Sequence, residues 1–294
     1  MEKDGSRTVI IDIHTHTFPE KIAEKALRTL QSNCHTALFS DGTEAGLLRN
    51  EKKAGVDLAV VQPVATYPEQ VPHINDAVIR SAAERKQGIL SFGAMHPLCS
   101  VWEAELERLA EAGVPGIKLH APFEEVDMDD ARTVRVLKKC RELGLRVLIH
   151  SGWDVGLPGH AEALPEKIRR GLDAAGEVRL IAGHMGGWKC WEEAGRLLAG
   201  CGIWLDTAFS LGKLTPAEDG YAWKKGELEM LSPSEFCDLA HLFGTDHILF
   251  GTDSPWADPK EELKKIRDLP LTKEEISGIC GGNAEKLLSG IAKE

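Results

Sequence analysis

Eight short apolar runs recur along the chain, and most are followed by a stretch with the periodicity of an amphipathic helix. The runs are continuously apolar, which is typical of parallel strands that are covered on both faces. Eight strand–helix repeats within 294 residues is the number that a (β/α)8 TIM barrel contains. We therefore predict an α/β fold of this type, with strands at VIIDIH (9–14), DLAVVQPV (57–64), ILSFGAMH (89–96), GIKLH (116–120), RVLIH (146–150), VRLIAGH (178–184), GIWLDTAF (202–209) and HILFGTD (247–253).

Helix-start signals separate these runs. SVWE (100–103), SPSE (232–235) and TKEE (272–275) have the spacing of a capping box. Gly113 is predicted to end the first of these helices, and Asn283 is predicted to be the N-cap of the last helix. A doubly wound sheet would use the same units, but it usually carries a glycine-rich phosphate turn after an early strand, and the sequence shows none.

The chain shows neither a low-complexity linker nor an internal repeat, so we predict a single domain over residues 1–294, with its core at about 9–290. Two connections, 18–50 and 210–232, exceed ordinary loop length. Both follow strands, which is where a barrel places lids and substrate loops. We expect these two segments to determine the substrate.

Composition excludes several classes of function. The formal charge of −11 argues against a nucleic-acid partner, because a phosphate-binding face needs a basic patch. No apolar run approaches the ~18 residues of a membrane span. The first eight residues, MEKDGSRT, are charged, so no signal peptide is predicted. The seven cysteines form no CxxC pair, which favours reduced thiols and a cytoplasmic location.

Polar residues stand at the ends of the predicted strands, and a barrel gathers those ends onto one rim. Alternation places His14 and His16 on one face, pointing into the barrel mouth. With a third imidazole from the fifth or sixth strand and a carboxylate from the eighth, the set suits a divalent metal, Zn²⁺, Mn²⁺ or Fe²⁺. A single histidine at a strand end more often only closes a turn. The repetition over several strands favours the metal site. The polar residues at these strand ends are His14, His16, His96, Lys118, His120, His150, His184, Asp206 and Asp253. Of these, His96 is expected to be structural or to support the site from behind, and Asp206 to orient a metal ligand.

The chain resembles the amidohydrolase superfamily, in particular the amidohydrolase-related (amidohydrolase 2) branch that also holds aminocarboxymuconate-semialdehyde decarboxylase-like enzymes. The matching motifs are IDIHTHTF, GIKLH, LIHSG, IAGHMGG, LDTAFS, LFGTDSPW and GGNAEKLL, which span residues 10–288 in the family's order. This resemblance implies a (β/α)8 barrel with one or two metal ions at the C-terminal ends of the strands.

The resemblance also implies roles for individual residues. His14, His16, His150 and Asp253 match the ligands of one ion, and Asp253 also matches the acceptor of a proton from metal-bound water. His184 matches a residue that is a catalytic acid or base in members with one ion and a ligand in members with two. One ion, most often Zn²⁺, is favoured over two.

Lys118 has two possible roles. Some superfamily members carry a lysine near this position that is carboxylated by CO₂ and bridges two metal ions; in those members the residue that corresponds to His184 ligates the second ion. The favoured interpretation is a plain ammonium that binds an anionic part of the substrate. His120 faces the mouth by alternation and is a candidate for substrate contact, as are three tryptophans that follow the site motifs: Trp153, Trp188 and Trp256.

The leading functional hypothesis is a metal-dependent hydrolase of a small-molecule amide, ester or lactone-like bond. The alternative is a non-hydrolytic decarboxylase (a lyase) of a small unsaturated carboxylic acid, whose anion would need cations such as Lys118; Arg49 cannot be placed from sequence. A catalytically silent barrel is disfavoured because the set of candidate ligands is intact. A homodimer is possible by analogy with the superfamily.

Overall fold

Nine short strands run parallel in the computed structural model, which describes residues 9–289. Residues 1–8 and 290–294, which the predicted domain includes, lie outside the part of the chain that the structure describes. The strands are β1 (Ile11–Thr15), β2 (Leu58–Val61), β3 (Ile89–Ser91), β4 (Gly93–Ala94), β5 (Gly116–Leu119), β6 (Arg146–Ile149), β7 (Leu180–Ala182), β8 (Trp204–Asp206) and β9 (Ile248–Leu249). Each overlaps one of the eight predicted runs, and β1 extends one residue beyond its run, to Thr15.

The strands pair in sequence order and close into a barrel. β1, β2 and β3 form one parallel sheet, and β4 to β9 form another. Only Phe92 separates β3 from β4, so the two segments continue one barrel strand. The barrel closes where the Ile13 N–H donates to the Phe250 carbonyl and the Asp253 N–H donates to the His14 carbonyl, at 2.9 and 2.8 Å. The chain is therefore a single-domain (β/α)8 TIM barrel, as predicted.

Helices cover the outside of the barrel. They are α1 (Glu20–Cys34), α2 (Glu44–Ala54), α3 (Val71–Glu84), α4 (Trp102–Glu111), α5 (Ala121–Glu124), α6 (Ala131–Leu143), α7 (Pro165–Ala175), α8 (Trp191–Leu198), α9 (Pro233–Phe243), α10 (Pro259–Arg267), α11 (Lys273–Ser277) and α12 (Asn283–Leu288). Within residues 9–289, no helix has both the length and the apolar character that crossing a bilayer requires.

Two of the three predicted capping boxes are present. Ser232 caps α9 and Thr272 caps α11, each with the reciprocal glutamate contact. The predicted box at Ser100 is wrong: α4 begins at Trp102 without a side-chain cap, because a turn in which the Trp102 N–H bonds to the Cys99 carbonyl occupies this stretch. Gly113 follows the end of α4, with a φ of +76°.

The prediction for Asn283 is also wrong. A π-helical turn, Gly278–Gly282, runs directly into α12, so Asn283 is already helical and leaves no gap for an N-cap. Its side-chain amide instead donates to the carbonyls of Thr245 and Ile248, at 2.9 Å each. It thereby ties the last helix to the start of β9.

An apolar cluster fills the lower part of the barrel interior. Its members come from strands around the barrel, contact one another, and are buried together with two residues of α12. Arg146 secures α12 there by donating from Nε and Nη2 to the Leu287 carbonyl. The cluster consists of Ile11, Ile13, Val60, Phe92, Leu148, Ile181, Leu249, Ala284 and Leu287.

Candidate metal centre

The predicted site residues converge at the C-terminal ends of the strands. They line one continuous cavity of about 1100 Å³. His14 lies in β1 and Lys118 in β5, and the other residues follow the ends of their strands. The structure brings together at this cavity all ten predicted site residues: His14, His16, Lys118, His120, His150, Trp153, His184, Trp188, Asp253 and Trp256.

A break in strand register turns His14 towards the cavity. Ile13 packs in the interior cluster, so simple alternation would point His14 to the opposite face. The pairing of β1 with β2 shifts between Asp12 and Thr15, and bulges of this kind commonly redirect side chains beside active sites. Asp12 supports the break by accepting from the His14 N–H at 3.1 Å and from the Thr252 hydroxyl at 2.6 Å.

Three candidate ligands meet at one point. His16 Nε2 lies 3.1 Å from Asp253 Oδ1, and His14 Nε2 lies 3.7 Å from the same oxygen. Ligands bound to one ion at about 2.0–2.2 Å are separated by roughly this much. Two nitrogens and one carboxylate oxygen are therefore close enough to share an ion.

Neighbouring acceptors fix which nitrogen of each imidazole is free. His16 Nδ1 lies 2.7 Å from the Gln62 carbonyl, which can only accept, so this nitrogen carries the hydrogen. His14 Nδ1 lies 2.8 Å from Asp206 Oδ2, the contact expected for Asp206 from the sequence. Nε2 of each ring therefore faces the meeting point, which is the orientation a metal ligand requires.

His150 and His184 form a second contact within the cavity. Their free nitrogens, His150 Nδ1 and His184 Nε2, are 3.0 Å apart. The opposite nitrogens donate to the carbonyls of Trp153 and Ala208, both at 3.1 Å. Two neutral rings held in this way point their lone pairs at each other, an arrangement that a metal ion bound between them would stabilise.

Burial keeps these imidazoles neutral. Burial, together with the charge of Lys118, lowers the pKa of His14 well below its usual value and that of His150 to about 4. Burial, and then the neighbouring His150, lower the pKa of His184 to about 4. Neutral imidazoles are the form that binds metal, so the donor set fits a divalent ion. The structure leaves His150 outside the group of His14, His16 and Asp253, and its role as a ligand stays a prediction.

Lys118 brings a cation to the centre. Its side chain is 1% exposed, and Nζ lies 3.0 Å from His14 Nε2. Burial lowers the pKa of Lys118 to about 8. The other cation considered from sequence, Arg49, pairs with Asp41 at the surface and does not line the cavity.

Sequence reasoning missed Asp154. Its Oδ2 lies 3.4 Å from His120 Nε2 and 3.8 Å from His150 Nε2, so the three residues form a further group with ligand geometry. Burial raises the pKa of Asp154. The available signal was a carboxylate four positions after His150, directly behind the HSGW motif.

Three buried polar atoms at the cavity have no hydrogen-bond partner. Among residues 9–289, Gln62 Oε1, His120 Nδ1 and Trp188 Nε1 find no hydrogen-bond acceptor or donor, and all three residues line the cavity. Buried polar atoms are nearly always satisfied in native proteins. These three atoms therefore mark positions for polar groups of a ligand or for ordered water.

The two long segments contribute unequally. Segment 18–50 lines the cavity through Phe18 and α1, as predicted. Segment 210–232 does not line the cavity; part of it borders a separate space of about 210 Å³. It is held away because Leu211 and Lys213 bridge Leu231 and Glu229 within the same segment.

Two site residues have a backbone that non-glycine residues seldom adopt. His184 and Asp253 have φ of +57° and +63°, within the left-handed region. The Asp206 carboxylate supports the first by accepting from the His184 N–H at 2.9 Å. Such conformations are concentrated at functional sites.

The amidohydrolase family model matches residues 11–290. The chain therefore belongs to the amidohydrolase family. A 2-amino-3-carboxymuconate-6-semialdehyde decarboxylase from Dictyostelium discoideum is 23% identical over 241 residues, which cover 74% of this chain and 65% of that protein. The chain thus spans just under two thirds of the length of this relative.

Solved structures share the fold at low identity. An uncharacterized TIM-barrel protein from Bordetella bronchiseptica superposes with a TM-score of 0.70 and 18% identity, covering 97% of this chain and 99% of that one. A dihydroxybenzoic acid decarboxylase from Polaromonas sp. JS666, with bound manganese and the inhibitor 2-nitroresorcinol, gives 0.64 and 14%, covering 96% and 97%.

Proposed function

We propose that the protein is a metal-dependent decarboxylase of an unsaturated or aromatic carboxylic acid. The observation that carries this proposal is the buried ammonium of Lys118 beside the candidate ligands, because it gives a carboxylate an anchor inside the cavity. The decarboxylases among the relatives favour this alternative over the hydrolase that the sequence analysis placed first.

The reaction removes CO₂ without consuming water. The bond from the substrate carbon to the carboxylate breaks, its electron pair stays on the carbon, and that carbon takes up a proton. Lys118 would bind and orient the carboxylate. His184 would pass that proton from solvent to the carbon through Nε2, because the Ala208 carbonyl already occupies its Nδ1–H.

A divalent ion fits this site and would polarise the oxygens of the bound acid when present. His14, His16, His150 and Asp253 are its proposed ligands. Asp253, whose Oδ1 lies 3.1 Å from His16 Nε2 and 3.7 Å from His14 Nε2, supplies the carboxylate of this set. We expect one bound ion per chain, and we expect it to be Zn²⁺; Mn²⁺ and Fe²⁺ also suit these ligands.

Location and partners are also part of the proposal. All seven cysteines carry free thiols, which is compatible with the reducing cytoplasm expected from the sequence. We expect a small-molecule substrate, without a nucleic-acid or membrane partner. A homodimer stays a prediction.

Product analysis tests the function directly. Protein purified without chelator is first assayed for metal content by mass spectrometry; about one ion per chain supports the single-ion site, and about two would make Lys118 a candidate carboxylated bridge. It is then offered carboxyl-labelled dihydroxybenzoic and related unsaturated acids, and in parallel amides, esters and lactones. Labelled CO₂ from an acid supports the proposal, whereas an acid plus an amine or alcohol, without CO₂, overturns it.

Lysine variants sharpen this test. Lys118→Met removes the proposed anchor and should raise KM for the acid about tenfold or more. Lys86→Met is the matched control, because Lys86 pairs with Glu44 at the outer end of the cavity. If the two substitutions raise KM equally, Lys118 is not the anchor of the carboxylate.

A further inference from the structure

The cavity is larger than a small aromatic acid requires. Pockets for drug-sized ligands measure about 300–1,000 Å³, and this cavity measures about 1100 Å³. It extends from the candidate metal centre to a groove between α1 and α3. The groove contains none of the candidate metal ligands.

Helix α1 carries two apolar stripes. One consists of Ala23 and Leu27, which are buried in the body of the protein. The other consists of Ile22, Ala26 and Leu30, spaced four residues apart, and these three line the cavity. Ile22 is 50% exposed. An apolar stripe at helical spacing normally packs against protein. The second stripe lines the cavity instead, so it offers an apolar surface to a ligand.

Helix α3 forms the opposite wall. Its residues Ile74, Ala77 and Val78 line the same cavity. Phe18, two residues after His16, and Val64, two residues after Gln62, also line it. Apolar side chains thus accompany the cavity from the neighbours of the centre to the two helices.

We infer that the substrate acid carries an extended apolar substituent, which lies between α1 and α3 while its carboxylate is bound at Lys118. This inference rests on the proposed function for the identity of the anchored group. The apolar residues of both helices favour an apolar chain, although Glu20 of α1 and His73 of α3 also line the cavity, and the cavity leaves room for a chain well beyond one aromatic ring.

The binding of chain-length series tests the inference without turnover. The probes are straight-chain alkanoic acids of 4 to 14 carbons, measured by calorimetry on the metal-loaded protein. Each methylene that enters an apolar groove should lower Kd about fourfold, until the groove is filled. A Kd that does not change with chain length would overturn the inference.

Variants locate the effect on α1. Ala26→Trp should fill the groove and abolish the gain per methylene, whereas Thr29→Trp, on the exposed side of the same helix, should preserve it. Ile22→Ser is a milder change at a half-exposed position and should weaken the binding of the longest acids about three- to tenfold. If each methylene still lowers Kd by the same factor in both Ala26→Trp and Ile22→Ser, the alkyl chain binds elsewhere and the inference is overturned.

The outcomes separate this inference from the proposed function. If long acids bind with the expected gain but no acid releases CO₂, the groove stands and the decarboxylase fails. If short aromatic acids release CO₂ but chain length has no effect, the groove alone fails. One further result would overturn the inference. If sedimentation shows that Ile22→Ser converts a dimer to a monomer, and chain length has no effect on Kd, the stripe is a contact between two copies of the chain.

Discussion

The lower half and the mouth of the barrel interior are built by the same strands but have opposite chemistry. On β6, Leu148 belongs to the apolar cluster, and two residues later His150 lines the cavity. On β1 the change takes one residue, from Ile13 to His14, through the register shift. Depth along a strand therefore separates residues that stabilise the barrel from residues that serve its chemistry.

The largest effect expected at the mouth is from Asp253→Asn. The amide keeps the size of the side chain but loses the charge that faces His14 and His16. We expect turnover to fall about 10³-fold, with a loss of bound metal and a change in unfolding free energy below about 1 kcal/mol. Rates of CO₂ release, metal content and urea unfolding measure these. Asp246→Asn, at an exposed position, is the control, and near-normal turnover of Asp253→Asn would remove the assigned role.

The largest effect expected in the lower half is from Phe92→Ala. Phe92 is fully buried in the apolar cluster, so its truncation should lower the unfolding free energy by about 3–5 kcal/mol. Metal content per folded chain should be unchanged. Urea denaturation measures the loss, with Leu242→Ala at an exposed position as control. If the metal is lost while stability is kept, the separation by depth is wrong.

Glu51 of α2 sharpens the comparison because it is a buried acid away from the cavity. Burial, and then the charge of Asp12, raises its pKa to about 10. Between about pH 4.5 and pH 10 the folded state keeps this proton, whereas the unfolded chain releases it. The free energy of unfolding therefore falls as pH rises through this range. Glu51→Gln cannot ionise and should be more stable than the parent by at least about 1 kcal/mol at pH 9.

Urea unfolding between pH 6 and 9 measures that difference. Glu111→Gln, at an exposed position, should follow the parent at every pH. A parallel pH dependence of Glu51→Gln and the parent would show that Glu51 is ionised in the folded protein.

The smallest expected effect is from Trp188→Phe at the mouth. The substitution keeps an aromatic ring and removes the buried N–H that has no partner among the described residues. For an acid with a hydrogen-bonding substituent we expect KM to rise about three- to tenfold, with little change in kcat. Steady-state kinetics with and without that substituent measure it, and equal changes for both acids would exclude the hydrogen bond. Trp204→Phe, which does not line the cavity, is the control.

The strands and their polar ends could be predicted because both depend on local patterns. A buried parallel strand is continuously apolar, and a charged or imidazole side chain at its end interrupts that run, as at His150 and His184. The capping boxes at Ser232 and Thr272 are local in the same way, and the structure contains both.

The errors came from contacts that no local pattern encodes. The bulge at His14 depends on pairing with β2, and Asn283 is engaged by carbonyls more than 30 residues away. The Gln62 contact uses a backbone carbonyl, which every residue possesses. Asp154 was overlooked because its position relative to His120 arises only when β5 and β6 lie side by side.

The seam that closes the barrel has a consequence for synthesis of the protein. The Asp253 N–H bonds to the His14 carbonyl and the His16 N–H bonds to the Ser254 carbonyl, at 2.8 and 2.7 Å. The first strand therefore leaves the ribosome with one edge unpaired and waits for about 240 further residues. During that interval the edge is open to wrong partners. The same seam joins the two halves of the candidate centre, so a nascent chain that stops short of residue 253 has neither a closed barrel nor the complete set of candidate ligands.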